Sequence, residues 1–358
     1  MMLKGVGAAL AGLLMALSVG AAAQAAPDPV AQDYVIKDFR FRTGETLREL
    51  RIRYHTLGTP KTDASGRVGN AVLILHGTGG TGRQFTNPLF ADVLFAPGGL
   101  LDPAKYFIVM PDNLGHGGSS KPSDGLRARF PKYDYADMVA AQHALVEGLG
   151  IEKLRLIMGT SMGCMHGFIW ATTWPHAARA LMPLACQPTE IAGRNRLWRR
   201  MAIDAVTSDP AYKGGEYTDQ PVQGLKTAAD LLILAGAAPI PMQAQLPTRA
   251  AVDEWLAREL PRRIAGMDAN DFIYQVDSSR TYDPSKDLEK ITAPMTWVNS
   301  ADDFINPPEL GLAEAAMRRL RTTRYVLIPA TVQSRGHGTH THAALWKDEL
   351  ADLLRRTE

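Results

Sequence analysis

The residues best suited to chemistry in this chain lie in Gly159-Thr160-Ser161-Met162-Gly163, a G-x-S-x-G pentapeptide. It follows the apolar run Leu154 to Met158 and precedes a helical pattern over residues 162–173. In that context Ser161 sits on a sharp strand-to-helix turn, where flanking glycines avoid clashes and the hydroxyl is exposed. A serine hydroxyl is a poor nucleophile until a base takes its proton. The remaining chain must therefore supply a histidine, an acid to orient it, and donors for a developing oxyanion.

Of the nine histidines, His337 is the preferred base. It lies in Arg335-Gly336-His337-Gly338, a flexible loop beyond the late strand Tyr325 to Ile328. His340 and His342 are alternatives, read instead as the exposed start of the last helix. The acid should follow the strand Met295 to Asn299. Asp302 and Asp303 both qualify, and Asp303, which opens a D-x-I-x-P run, is preferred. The acid holds the imidazole tautomer and stabilises the imidazolium without taking the proton. The glycine-rich His76-Gly77-Thr78-Gly79-Gly80 follows the strand Val72 to Leu75. The backbone N–H of Thr78 and that of Met162 are the expected oxyanion donors. His76 itself reads as a hydrogen-bonding residue at a strand end. The glycine loop lacks the Lys-Ser/Thr ending of a phosphate cradle.

Apolar runs alternating with helical stretches position these residues. They predict an α/β fold with a mostly parallel sheet covered by helices on both faces. The strand rhythm stops between Gln187 and Lys290, so residues 27–186 and 291–358 form the core and 187–290 a helical cap insertion. Late helices are expected over 308–321 and 341–355. Residues 1–26 read as a secretory signal peptide: Lys4, the apolar stretch Val6 to Gly20, then small residues with a cleavage site near Ala25. That implies a periplasmic or secreted enzyme, free of the membrane after cleavage.

Composition narrows the function classes. The 358 residues are 46% hydrophobic and 21% charged, with a net charge of +2, ordinary for a globular enzyme and without the electrostatic footprint of a nucleic-acid binder. No metal-ligand set and no cofactor motif is evident. The partner is a small acyl or ester substrate, and a homodimer is left open. The two cysteines, Cys164 and Cys186, read as buried thiols rather than a disulfide. His116 and His166 read as packing residues. Arg194, Arg196, Arg199 and Arg200 read as a solvated helix face in preference to an anion-binding patch. Trp198, Met201, Trp255 and Phe272 read mostly as cap core.

The order of glycine loop, serine turn, acid and histidine resembles the α/β-hydrolase superfamily. Within it, the chain resembles the homoserine O-acetyltransferase-like family. The matching segments are Asp112-Asn113-Leu114-Gly115, Gly159 to Met165, Met201-Ala202-Ile203, Asp209-Pro210, Gly214-Gly215-Glu216-Tyr217, Gly224-Leu225, Asp268 to Phe272 and Tyr282-Asp283-Pro284. One departure bears on function. The resemblance implies an arginine, a clamp for the substrate carboxylate, at the position that Ala229 occupies. Leu231 to Ala235 then forms an apolar wall where the family carries a polar stretch, and Lys226 would act only from elsewhere on the helix. Acetyl-CoA is also a cytosolic donor that a secreted enzyme would not meet. The expectation is therefore a serine hydrolase cleaving a carboxylic ester through a Ser161 acyl-enzyme. The alternative is an O-acyltransferase acting on another acceptor.

Overall fold

A computed structural model describes residues 25–358; the signal-peptide reading lies almost wholly outside them. Eight strands form one sheet in the order β1-β2-β4-β3-β5-β6-β7-β8. They are β1 (Val30–Arg40), β2 (Thr46–Leu57), β3 (Ala71–Leu75), β4 (Phe107–Pro111), β5 (Leu156–Thr160), β6 (Leu181–Leu184), β7 (Met295–Ser300) and β8 (Thr323–Ile328). Only β2 runs against its neighbours; from β4 to β8 every pairing is parallel. Strands β3, β4 and β5 are buried at every residue, as strands covered on both faces must be. Their side chains alternate between two cores. Ala71, Leu73 and Leu75 join one apolar cluster, and Val72 and Ile74 the other.

The helices are α1 (Pro88–Leu94), α2 (Tyr135–Gly148), α3 (Met162–Thr173), α4 (Gly193–Thr207), α5 (Val222–Gly236), α6 (Pro239–Gln245), α7 (Arg249–Ile264), α8 (Ala269–Asp277), α9 (Leu312–Met317) and α10 (Lys347–Arg355). Helix α2 starts in a capping box, with Asp134 accepting from the Asp137 N–H and Asp137 accepting from the Asp134 N–H. The two late helices are shorter than the sequence pattern implies. Gly311, at φ 64°, breaks the first, so α9 starts only at Leu312. Tight 3-10 turns over Gly336–Thr341 and Ala343–Leu345 precede α10. These turns bury Ala343 and Trp346, and the Trp346 ring packs 5.7 Å from that of Phe90 on α1.

Between β6 and β7 the chain carries α4 to α8 and no strand. This segment has an apolar cluster of its own, including Ala202, Val206, Leu225, Ala228 and Phe272. It is nonetheless tied to the sheet domain. The Gln275 Nε2 donates to the Gly115 carbonyl at 2.8 Å, and Tyr274 Oη donates to the Phe130 carbonyl at 2.5 Å. Asp271 accepts from the Ser123 N–H and hydroxyl at 2.8 and 2.6 Å.

Candidate active site

Ser161 stands between β5 and α3 at φ 53°, ψ −110°, a positive-φ conformation that costs a non-glycine residue strain. Its neighbours show why that turn needs glycine. A Cβ on Gly159 would lie 2.0 Å from the Gly163 carbonyl oxygen, and one on Gly163 would lie 2.1 Å from the Leu75 carbonyl oxygen. The turn is anchored by the Ser161 N–H donating to the Leu184 carbonyl at 2.8 Å.

The structure brings Ser161, His337 and Asp303 into one chain. His337 Nε2 lies 2.7 Å from Ser161 Oγ, and Nδ1 lies 2.9 Å from Asp303 Oδ2. An ionised carboxylate only accepts, so Nδ1 carries the imidazole proton and Nε2 is left to accept from the serine. Asp303 is 2% exposed. Burial alone would push its carboxyl up, but the His337 ring and bonds from Asn306 and Ile305 hold it below its ordinary value. Asn306 escapes the sequence reading although it is the variable position before the proline of D-x-I-x-P. Its Nδ2 donates to Asp303 Oδ2 at 2.9 Å and its N–H to Oδ1 at 3.2 Å.

Asp302 turns elsewhere. It accepts from Ser300 Oγ at 2.5 Å, Ser334 Oγ at 2.7 Å and the Gly336 N–H at 3.3 Å, tying down the histidine loop. His340 and His342 are not on an exposed helix face. His340 lies in the first 3-10 turn and His342 between the two turns, each with its Nδ1 buried and unpartnered, and the His340 ring packs edge-on to His337 at 5.6 Å.

The loop after β3 is fastened against the serine turn. The Gly163 N–H donates to the His76 carbonyl at 3.0 Å, and Gln84 bridges Thr160 and Gly77. A Cβ on Gly77 would sit 3.3 Å from Ser161 Cβ. The Thr78 N–H has no backbone acceptor among the described residues. Met162 opens α3, where the first N–H groups of a helix have no intrahelical partner. His76 plays the structural part expected of it. Its Nε2 accepts from the Asn113 N–H at 2.9 Å and its Nδ1 faces the Gly77 carbonyl at 2.8 Å. His116 and His166 are fully buried, in keeping with packing.

Three side-chain readings need correction. Cys164 and Cys186 form a disulfide, with Cα atoms 5.9 Å apart. The parallel pairing of Thr160 with Leu184 places the first turn of α3 beside the end of β6, a lateral neighbourhood that linear spacing does not reveal. The arginine cluster is not one solvated face, since Arg199 is 2% exposed. Lys226 is exposed on α5, while Ala229 is buried and Leu234 is 62% exposed, so Leu231 to Ala235 is not a continuous wall around the site.

A cavity of about 1040 Å³ opens beside Asp303. Met165, one turn along α3 from Ser161, lines it, as do Gln187, Asn195, Asp303, Ile305 and Ile240. The loop after β7 and the start of α6 contribute to its walls.

These features define an α/β hydrolase: a mostly parallel sheet, a nucleophile turn after a central strand, and an acid and a histidine after later strands. A model of the alpha/beta hydrolase fold family matches residues 70–330, and the chain belongs to that family. Within it, the chain belongs to the homoserine O-acetyltransferase-like group. It is 30% identical over 315 residues to a homoserine O-acetyltransferase of Pelobacter propionicus, covering 77% of this chain and 83% of the relative. It is also 30% identical over 282 residues to a probable acyltransferase of Methanothermobacter thermautotrophicus, covering 78% and 85% of the two chains. Solved structures share the fold. A homoserine O-acetyltransferase from Bacillus anthracis superposes with a TM-score of 0.80 at 20% identity, covering 92% of this chain and 98% of that one. The acetyl esterase MekB superposes with a TM-score of 0.79 at 23% identity, covering 91% and 97%.

Proposed function

We propose that this enzyme is a serine hydrolase that cleaves a carboxylic ester, or a related acyl compound, through an acyl-enzyme on Ser161. The unbroken chain from Ser161 Oγ through His337 to Asp303 carries the reading. His337 Nε2 takes the serine proton as Oγ attacks the acyl carbon. The oxyanion is received by the N–H groups of Thr78 and Met162. Collapse of the tetrahedral intermediate expels the alcohol, which takes its proton from His337. Water, deprotonated by the same nitrogen, then attacks the acyl-enzyme and releases the acid.

Water is preferred as acceptor because Ala229 replaces the arginine implied by the family resemblance, and the exposed Lys226 is no substitute. A planar clamp for an amino-acid carboxylate is missing from that position. The N-terminal signal-like sequence supports a periplasmic or secreted location, where acetyl-CoA is absent. The Cys164–Cys186 disulfide fits an oxidising compartment. The second reading, an O-acyltransferase with a different acceptor, is favoured by the names of the relatives at 30% identity.

Product analysis separates the two. With an activated ester and millimolar alcohol or thiol acceptors, the free acid is the expected product. Acyl transfer that outcompetes water would establish the transferase instead. A fluorophosphonate probe tests the nucleophile itself: wild type should label and Ser161→Ala should not.

A further inference from the structure

Three consecutive residues at the end of β6 and just beyond it each hold a different part of the site. The Leu184 carbonyl accepts from the Ser161 N–H at 2.8 Å. The Ala185 carbonyl accepts from Asn306 Nδ2 at 3.1 Å, and the same nitrogen donates to Asp303 Oδ2 at 2.9 Å. Cys186 is bonded to Cys164, which lies in the first turn of α3, directly after Ser161. A carbonyl oxygen only accepts, so Ala185 selects the amide orientation that turns Nδ2, and not Oδ1, toward Asp303. Both N–H groups of that amide are then committed.

The segment is held in a conformation that alanine disfavours. Ala185 sits at φ 64°. Such a residue persists only where its surroundings over-determine it. On one side β7 does so. The Ala185 N–H donates to the Val298 carbonyl at 2.9 Å, the Cys186 N–H to Asn299 Oδ1 at 3.1 Å, and Trp297 Nε1 to the Cys186 carbonyl at 3.1 Å. On the other side the disulfide is the covalent tie to α3. Both cysteines are buried, so in the folded protein the bond is not offered to surface thiols.

We propose that the Cys164–Cys186 disulfide positions the acid: it holds Ala185 at positive φ, which keeps the Ala185 carbonyl on Asn306 and Asn306 on Asp303. Cys164, Cys186 and Asn306 are positioning residues, acting through Asp303 on the orientation of His337. Without the bond Ala185 relaxes toward negative φ and its carbonyl leaves Asn306. The amide is then free to turn its oxygen toward the carboxylate, which repels it. Asp303 loses a donor and a fixed direction for accepting from His337 Nδ1. The reduced protein is folded but slow, so full activity belongs to an oxidising setting. A disulfide that served stability alone would leave the Asp303–His337 bond unchanged in the folded state.

The test uses two disulfide-free forms, each checked for native near-ultraviolet circular dichroism. One is Cys164→Ala/Cys186→Ala. The other is wild type refolded in dithiothreitol, which keeps both sulfurs in place. There the S–S bond takes up two electrons and two protons, and the dithiol closes to its cyclic disulfide. The low-field proton resonance of His337 Nδ1–H, identified by its loss in Asp303→Asn, reports the bond to Asp303 without any turnover. It should be sharp in oxidised wild type and broadened or displaced in both disulfide-free forms and in Asn306→Ala. An unchanged resonance in folded, disulfide-free protein overturns the proposal, whatever reaction the enzyme runs. Kinetics on an activated ester give the second readout, and only this readout rests on the Ser161 reading. A wild type without turnover would count against that reading alone, and the resonance would still decide. Loss of the disulfide should lower kcat about ten-fold with little change in KM, and Asn306→Ala should do the same. Because both act through one hydrogen bond, Cys164→Ala/Cys186→Ala/Asn306→Ala should be no slower than Asn306→Ala. A further loss of about ten-fold, the product of independent effects, would overturn the proposal. Ala185→Gly adopts φ 64° without strain and should recover much of the kcat of Cys164→Ala/Cys186→Ala. No recovery would remove Ala185 as the link.

Discussion

Asp302 and Asp303 are adjacent in sequence, yet only Asp303 reaches His337, at 2.9 Å from its Nδ1. Asp302 instead accepts from Ser334 Oγ at 2.7 Å and holds the loop on which His337 rides. Their replacement should therefore separate chemistry from support. Asp303→Asn leaves the shape but supplies an amide where the imidazole N–H needs an acceptor, and kcat should fall on the order of 10³- to 10⁴-fold. Asp302→Asn should keep most of kcat and lower the melting temperature. Steady-state kinetics on one activated ester measures both, and a reversed order of damage would reassign the acid.

Gly77 tests the proposed oxyanion donors, which as backbone groups cannot be deleted. A methyl there would meet Ser161 Cβ at 3.3 Å, and Ser161 is held by its own turn. The few tenths of an ångström must come from the loop that carries the Thr78 N–H. Losing one oxyanion donor costs about 10²- to 10³-fold in kcat, so a partial displacement in Gly77→Ala should cost about ten-fold or more with little change in KM. An unchanged kcat would remove Thr78 from the site.

The disulfide should matter to stability. It closes a loop with a sequence separation of 22 between α3 and the end of β6. Chain-entropy reasoning gives about 3 kcal/mol for such a loop. The double variant Cys164→Ala/Cys186→Ala should lose about that much in a denaturant titration, with a lower midpoint. Thiol titration of the unreduced, unfolded wild type should find no free sulfhydryl; two would reject the link.

Much of this architecture was legible because buried parallel strands are written as continuous apolar runs. Residues 71–75 and 107–111 announce themselves in that way. The hydrogen-bonded chain of Ser161, His337 and Asp303 was legible because Ser161 falls between such a run and a helix, and because Asp303 and His337 follow later strands in order. What escaped depends on lateral geometry. The pairing of Cys164 with Cys186 needs the β5–β6 register. Arg199 and Arg200 are neighbours in an arginine-rich run, and only the phase of α4 decides which is buried. Asn306 is one polar residue among several in its loop until Asp303 is placed beside it.

Acid should unfold this protein early, and the buried imidazoles give the sign. Burial lowers the His76 pKa to about 4 and that of His116 to about 3, and it also depresses His166 strongly. In the unfolded chain these groups titrate near 6.5. Between the two values the unfolded state binds more protons, so stability falls as pH drops from about 6.5 toward 4. His76 alone accounts for roughly 3 kcal/mol over that window at about 1.4 kcal/mol per pKa unit. Asp271 works in the opposite sense. Burial raises its carboxyl to about 6, so the folded state is the one that takes up a proton there as pH falls. Burial also lowers His340 to about 3 and raises the Asp137 carboxyl, so four imidazoles oppose two carboxyls, and the net effect is destabilising. Urea unfolding at pH 7 and pH 5 should show a clear loss at the lower pH. His116→Asn should make that loss smaller, because one fewer buried imidazole gains a proton on unfolding. Equal stability at the two pH values would show that these imidazoles do not govern the acid limb.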